Sequence, residues 1–152
     1  MIRTFVTRNF FARNRILIGG NWKSNNSIQD SLALVNNTIN NLKYDPAKVD
    51  VVIAPINLHI TAVQKALNHP SVKVAAQNSS NFGYGAYTGE VSAKHLKDIG
   101  LEWVILGHSE RRTIMKENDE LIVSKTHLAL ENGLKVIYCF GETLEGKSIS
   151  YS

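Results

Sequence analysis

The feature that most constrains the fold is a regular alternation of short apolar runs with longer stretches of helical periodicity. Each run is rich in β-branched or other apolar residues, lacks polar alternation, and ends at a glycine, a proline or a polar residue. That pattern is typical of strands buried on both faces of a parallel sheet. Strands are predicted over residues 16–20, 49–54, 72–76, 103–106 and 136–140.

Four intervening stretches place apolar residues three and four positions apart, which predicts helices over residues 27–42, 57–67, 92–99 and 118–132. The β-α-β order predicts an α/β fold with a parallel sheet and right-handed crossovers, of about five strands and four helices. This pattern alone leaves open both a doubly wound sheet and a barrel. The lack of a G-x-G-x-x-G motif after the first strand weighs against a dinucleotide-binding fold.

The net charge of +4 comes from the start of the chain. Four of the 17 basic residues precede residue 16, and the rest of the chain carries 13 basic and 13 acidic residues. Because residues 16–152 carry no net charge, the charge of the chain gives no reason to expect nucleic acid as a partner. No apolar run approaches the length of a membrane span. The single cysteine, Cys139, excludes an internal disulfide.

Residues 1–14 form a separate basic extension that contains arginines and large apolar residues but no acid. A cationic, amphipathic and acid-poor start is typical of an organelle transit peptide, so we expect import into mitochondria. The alternative is a plain basic tail on a cytoplasmic protein. The folded unit is expected to occupy residues 15–152.

Polar side chains are concentrated just after the predicted strands, where parallel α/β folds place their sites. Asn21 and Lys23 follow the first strand, and His108 follows the fourth with Ser109, Glu110, Arg111 and Arg112 directly behind it. Lys23 could hold a phosphate as a point charge. The free N–H groups of a helical turn after His108 would disfavour a second proton on its ring.

Each of these residues also has an ordinary structural interpretation. His108 could be a hydrogen-bonding loop residue, the Ser109–Arg112 segment a solvated helix start, and Cys139 a small buried apolar residue. The combination of residues makes a functional site the better hypothesis.

Four motifs together resemble the triosephosphate isomerase family: GGNWKSN (19–25), AAQNSSNFGYGAYTGEVSAKHLKDIG (75–100), WVILGHSERR (103–112) and CFGE (139–142). The similarity extends from about residue 15 to about residue 145. It implies a (β/α) barrel of the TIM type, here truncated to its N-terminal part, and interconversion of glyceraldehyde 3-phosphate and dihydroxyacetone phosphate in glycolysis.

The resemblance also implies roles for individual residues. Asn21 and Lys23 would bind the substrate, and Lys23 and His108 would be catalytic, with His108 polarising the substrate carbonyl. Ser109, Glu110 and Cys139 would support them, Glu110 by pairing with the lysine. No metal or other cofactor is implied.

A partner subunit is implied as well. The loop over residues 83–90 resembles a segment that inserts into a neighbouring subunit, with Thr88 reaching the partner's site. Glu90 and Arg111 resemble a pair that meets across that interface. Ser24 stands where the family usually has methionine at this contact, which is a departure from the pattern.

Length is the larger departure, because a barrel of this type needs about 250 residues. The sequence ends before a sixth strand, so we expect the catalytic glutamate and the closing lid to be missing and the chain alone to be inactive. Glu110 and Glu142 are the nearest carboxylates, but the resemblance gives both structural duties. One alternative is a catalytically dead half-barrel that serves as an interaction subunit, with a second copy or another protein covering the open edge of the fifth strand at Val136, Ile137 and Tyr138. The other is an incomplete sequence. The intact mass of the native protein tests the incomplete sequence: a mass near the 16.9 kDa of this chain would rule it out.

Overall fold

A computed structural model describes residues 15–141, which form one parallel sheet with helices between its strands. The strands are β1 (Ile16–Asn21), β2 (Val49–Ala54), β3 (Val72–Ala76), β4 (Trp103–Leu106) and β5 (Lys135–Tyr138). Their spatial order follows the sequence, β1-β2-β3-β4-β5, and every pairing is parallel. This order confirms the open half-barrel and rules out a doubly wound sheet, in which the first strand would lie in the middle.

The helices are α1 (Ile28–Asn37), α2 (Ile60–Ala66), α3 (Ala93–Asp98), α4 (Ser109–Thr113) and α5 (Asp119–Glu131). The predicted helices over 27–42 and 57–67 are each too long. The first ends at Asn37 and is followed by a separate 3-10 turn over Ile39–Asn41, while the second starts with a 3-10 turn over Asn57–His59. A run of asparagines with Thr38 disfavours continued helix at the first break, because these residues hydrogen-bond locally to the backbone. Asn41 does so, donating to the carbonyl oxygens of Asn36 and Asn37.

The central strands bury apolar side chains on both faces. On the helix side the core contains Val51, Ile53, Val74, Val104 and Leu106 together with helix residues, and on the opposite side Val52, Ala54, Ala75 and Ile105 form a smaller cluster. The expectation of strands buried on both faces is therefore correct for β2, β3 and β4.

That expectation is wrong for the outer strands. In β1 the side chains of Ile16, Leu17 and Ile18 are 65%, 43% and 55% exposed, because this strand has a neighbour on one side only within residues 15–141. β5 also ends earlier than predicted, at Tyr138, and Phe140 beyond it is 86% exposed.

Residues 1–14 and 142–152 lie outside the described residues, as do the transit-peptide prediction and Glu142. Within residues 15–141, no helix combines the length and the apolar character that crossing a bilayer requires.

Candidate active site

A cleft of about 350 Å³ opens at the carboxyl ends of the strands. Asn21 and Lys23 reach it from the end of β1, Gln77 and Asn78 from the end of β3, and His108, Glu110 and Arg111 from the segment after β4. The parallel sheet thus gathers residues that are up to 90 positions apart in the sequence, because the carboxyl ends of all its strands share one edge.

Lys23 and Glu110 form the central ion pair of this cleft. The Lys23 Nζ lies 2.6 Å from Glu110 Oε1, and both side chains are about half exposed. The hydrogen bond from Lys23 is the main cause that lowers the pKa of the Glu110 carboxyl; desolvation opposes it, and the charge of Lys23 adds to the lowering. Glu110 is therefore held as a carboxylate that orients the ammonium group.

His108 caps the N-terminus of α4. Its Nδ1 accepts a hydrogen bond from the backbone N–H of Glu110 at 3.3 Å, and it also lies 3.4 Å from Glu110 Oε2. The two contacts require different protonation states of Nδ1. The backbone N–H needs an unprotonated Nδ1 as its acceptor, whereas a hydrogen bond to the carboxylate would need a protonated Nδ1. The backbone N–H can act only as a donor, so we assign Nδ1 as the acceptor and place the ring proton on Nε2. A neutral ring of this tautomer can donate from Nε2 to an oxygen of a bound ligand.

The side chain of Asn21 is held by the backbone of the residues that follow it. Its Oδ1 accepts from the backbone N–H of Lys23 at 2.9 Å, which determines the orientation of the amide. The Nδ2 group is then the part of the side chain with donors to offer a ligand in the cleft.

Ser109 and Cys139 lie on the other side of His108, where they line a second cavity of about 340 Å³ at the ends of β4 and β5. The Ser109 carbonyl accepts from Thr113 Oγ1 inside α4. Burial raises the pKa of the Cys139 thiol, and the charge of Arg112 opposes this only in part. Cys139 is therefore a protonated thiol near neutral pH and a packing residue rather than a nucleophile.

Arg112 joins the ends of these two strands. It donates from Nε to the carbonyl oxygen of Gly107 at 2.7 Å and from Nη2 to that of Cys139 at 3.2 Å, and it pairs with Asp119 at 2.6 Å. Since Gly107 immediately precedes His108, these bonds fix the start of the histidine's segment.

Arg111 belongs to a buried ion network behind the cleft. Glu117 Oε1 accepts from Arg111 Nε at 2.6 Å and from Lys125 Nζ at 2.5 Å, and Lys125 also reaches Asn78 Oδ1 at 3.3 Å. The side chains of Glu117 and Lys125 are only 4% and 5% exposed. Burial opposes ionisation of Glu117, but the hydrogen bonds from Lys125 and Arg111 outweigh it and leave its pKa lowered.

The remaining interface candidates lie away from the cleft on the long loop between β3 and α3. Thr88 and Glu90 are exposed, and the base of this loop is closed by a hydrogen bond from the Ser80 N–H to the Val91 carbonyl. Within the chain Arg111 contacts Glu117, and the pairing of Glu90 with Arg111 across an interface stays a prediction.

Sequence reasoning overlooked Gln77, Asn78, Glu117 and Lys125 as site residues. Gln77 and Asn78 directly follow β3, so the strand-end rule that selected Lys23 and His108 could have found them. Glu117 and Lys125 gave no such signal, since their burial depends on how α5 packs. No group of three or more histidines, cysteines or acids suited to a metal ion occurs within residues 15–141.

The family model described as triosephosphate isomerase matches residues 16–150. The chain is 49% identical to the triosephosphate isomerase of Yarrowia lipolytica over 142 residues, which cover 93% of this chain and 54% of that protein. It is 50% identical to that of Neurospora crassa, over 85% of this chain and 51% of that protein. The bacterial triosephosphate isomerase of Hahella chejuensis is 46% identical, over 84% of this chain and 51% of that protein.

The chain spans about half the length of the curated relatives that it matches. The family match nevertheless covers the whole described sheet, including every residue that lines the cleft. The chain therefore belongs to the triosephosphate isomerase family.

Proposed function

We propose that the cleft binds a small phosphorylated carbonyl compound and forms part of a site that interconverts glyceraldehyde 3-phosphate and dihydroxyacetone phosphate, a step of glycolysis and gluconeogenesis. The observation that carries this proposal is the convergence of Lys23, His108 and Asn21 on one cleft. Lys23 supplies positive charge for the anionic substrate, and His108 offers an Nε2 donor to its carbonyl oxygen.

The described residues do not complete the reaction. Isomerisation needs a base that removes a proton from the carbon next to the carbonyl. Among residues 15–141, Glu110 is the carboxylate that lines the cleft, and it is occupied by Lys23. The next carboxylate, Glu117, is buried behind the cleft between two cations. The base therefore has to come from residues outside those described or from another chain.

The test is an isomerase assay with glyceraldehyde 3-phosphate. We expect no measurable turnover from the purified chain alone, because general base catalysis contributes on the order of 10²–10⁴-fold and an open site admits water. Adding a separately expressed C-terminal half of the Yarrowia lipolytica relative is expected to produce turnover.

Two histidine variants show whether that turnover uses this site. His108→Gln is expected to abolish it, whereas His127→Gln, a change at an exposed histidine on α5, is expected to leave it intact. Robust turnover by the chain alone would contradict the proposal and direct the search for a base to Glu110 and Glu142. Failure of the added half to restore turnover would contradict it as well.

A second candidate role is that of an interaction subunit, and the exposed apolar side chains of β1 favour it. Ile16, Leu17 and Ile18 lie at a strand edge, where unpaired backbone groups can add a further strand. A second copy of the chain, as in a homo-oligomer, or another protein would cover this edge.

Sedimentation velocity tests the homo-oligomeric form of this role. We expect the parent chain to associate with rising concentration and Ile18→Lys to weaken that association. Val123→Lys, which alters a 44% exposed apolar residue on α5, is the matched control and is expected to have no effect. A parent chain that stays monomeric would contradict the homo-oligomer.

A further inference from the structure

Gln77 connects the end of β2 with the segment that follows β1. It is the first residue after β3, and its Nε2 donates to the carbonyl oxygens of Ala54 and Lys23, both at 2.9 Å. Because a carbonyl oxygen can only accept, these two partners determine which end of the amide is nitrogen. The Ala54 carbonyl also accepts from the Trp22 N–H at 3.0 Å, so the last residue of β2 is held to the segment after β1 from two sides.

Lys23 has an unusual backbone conformation at this point. Its φ is +55°, in the left-handed region that residues with a Cβ atom rarely occupy. Such a conformation persists only where the surrounding contacts enforce it. Here both peptide groups of the lysine are held by side chains: Asn21 Oδ1 accepts from its N–H, and Gln77 Nε2 donates to its carbonyl oxygen.

The conformation of the Lys23 backbone sets the direction of its side chain. With φ at +55°, the ammonium group reaches Glu110, which is 87 positions away in the sequence, at 2.6 Å. A lysine that relaxed to an ordinary right-handed or extended conformation would point its Cβ elsewhere. The ion pair and the position of the charge in the cleft depend on this local conformation.

We propose that Gln77 is a positioning residue, whose amide holds Lys23 in the left-handed conformation that carries its Nζ to Glu110 and into the cleft. This inference deepens the proposed function and rests on it for the nature of the ligand. The conformational part rests on the hydrogen bonds alone, so the two can be tested separately.

The perturbation is Gln77→Met in the full chain, since methionine keeps the length of the side chain and its lack of charge but removes both donors. The matched control is Gln64→Met. Gln64 lies on α2 beside the amino-terminal end of β3, and its Nε2 donates to the carbonyl oxygen of Ile99 at 3.2 Å, so the control removes a similar bond at the far end of the sheet.

The first measurement is by NMR. The ¹³Cα and ¹³C′ shifts of Lys23 report its backbone conformation, and a ¹³C titration of the Glu110 carboxyl reports the ion pair. In Gln77→Met we expect the Lys23 shifts to move toward ordinary backbone values and the pKa of Glu110 to rise toward its usual range. In Gln64→Met neither is expected to move. A merely structural role for Gln77 would reduce stability without changing either signal.

The second measurement is binding of inorganic phosphate, followed in the same spectra. Loss of one net hydrogen bond corresponds to binding weakened between about twofold and about tenfold. We expect a decrease of this size in Gln77→Met and no change in Gln64→Met.

The outcomes distinguish the two claims. Unchanged Lys23 shifts and an unchanged Glu110 pKa in folded Gln77→Met would overturn the positioning role, as would equal changes in Gln64→Met. A parent chain that binds no phosphate would instead contradict the proposed function. If Gln77→Met does not fold, Gln77→Asn replaces it, since its amide is one methylene too short to reach both carbonyls, and the same shifts are expected.

Discussion

Glu117 offers the most quantitative test of the buried network behind the cleft. Replacing it with glutamine keeps the size of the side chain but removes the charge that compensates Lys125 and Arg111, which lie 2.5 Å and 2.6 Å from it. Because the Lys125 side chain is 5% exposed, water cannot take over the role of the carboxylate. Breaking a buried pair on one side costs about 3–5 kcal/mol. Glutamine retains an acceptor oxygen, so we expect a loss of about 3 kcal/mol.

The effect is also expected to depend on pH in a defined direction. Burial opposes the ionised form of Glu117, but the hydrogen bonds from Lys125 and Arg111 lower its pKa in the folded chain. A lowered folded-state pKa gives stabilisation that is fully present above the unfolded value, about 4.3 for glutamate, and is lost as the pH falls through the folded value. The difference between parent and Glu117→Gln is therefore expected to be largest near neutral pH and to shrink in acid.

The assay is equilibrium unfolding in urea, with the free energy of unfolding extrapolated to water. Glu120→Gln, which neutralises an exposed acid three residues further along at the start of α5, is the matched control and is expected to change stability by less than about 0.5 kcal/mol. Adding Lys125→Met to Glu117→Gln removes the more deeply buried of the two uncompensated cations and is expected to recover much of the loss. A loss for Glu117→Gln within about 1 kcal/mol of that for Glu120→Gln would refute the reasoning, since the prediction rests on the 3–5 kcal/mol cost of a broken buried pair.

Three further results are expected. Lys23→Met is expected to raise the pKa of the Glu110 carboxyl toward its usual range in a ¹³C titration, because the hydrogen bond from the lysine is the main cause of the lowered value; an unchanged pKa would contradict this. Gly107→Ala is expected to cost about 3 kcal/mol in urea unfolding and Gly133→Ala only about 1 kcal/mol, and equal losses would contradict the difference. Both glycines have positive φ, but an added Cβ at Gly107 would lie 2.9 Å from a backbone oxygen, whereas at Gly133 the nearest atom is 3.8 Å away. Residues 1–20 fused to a fluorescent reporter are expected to direct it to mitochondria, and a diffuse cytosolic signal that does not change when the four arginines become glutamine would reject import.

The positions of the strands could be predicted from local patterns, because each strand is a short apolar run with a clear end, whereas the choice of a barrel over a doubly wound sheet came from the family resemblance. The bounds of β2, β3 and β4 agree with the prediction, and those of β1 and β5 differ by one or two residues. The exposure of β1 could not be predicted in the same way. Its Ile16, Leu17 and Ile18 have the composition of a buried strand, but among residues 15–141 this strand has a neighbour on one side only, and its side chains are exposed there.

The residues of the candidate site that directly follow a strand could be predicted from the sequence. The residues whose role depends on contacts with distant parts of the chain could not. Lys23 and His108 follow strand ends and could be selected from the sequence. The left-handed backbone of Lys23 depends on two hydrogen bonds, one of them from Gln77, which is 54 positions away. The burial of Glu117 depends on the docking of α5, which no spacing within the helix reveals.

The sequential strand order has a consequence for how this chain is made. Every strand pairs with the next strand along the sequence, and residues paired between strands, such as Ile16 with Val49 or Trp103 with Lys135, are 21 to 33 positions apart. Each of these strand pairings can therefore form as soon as the next strand has been synthesised. Contacts between residues that are close in sequence also form fastest. As the polypeptide emerges from the ribosome, each new β/α unit can dock on the one before it, so the sheet can be built vectorially from β1 to β5 during translation.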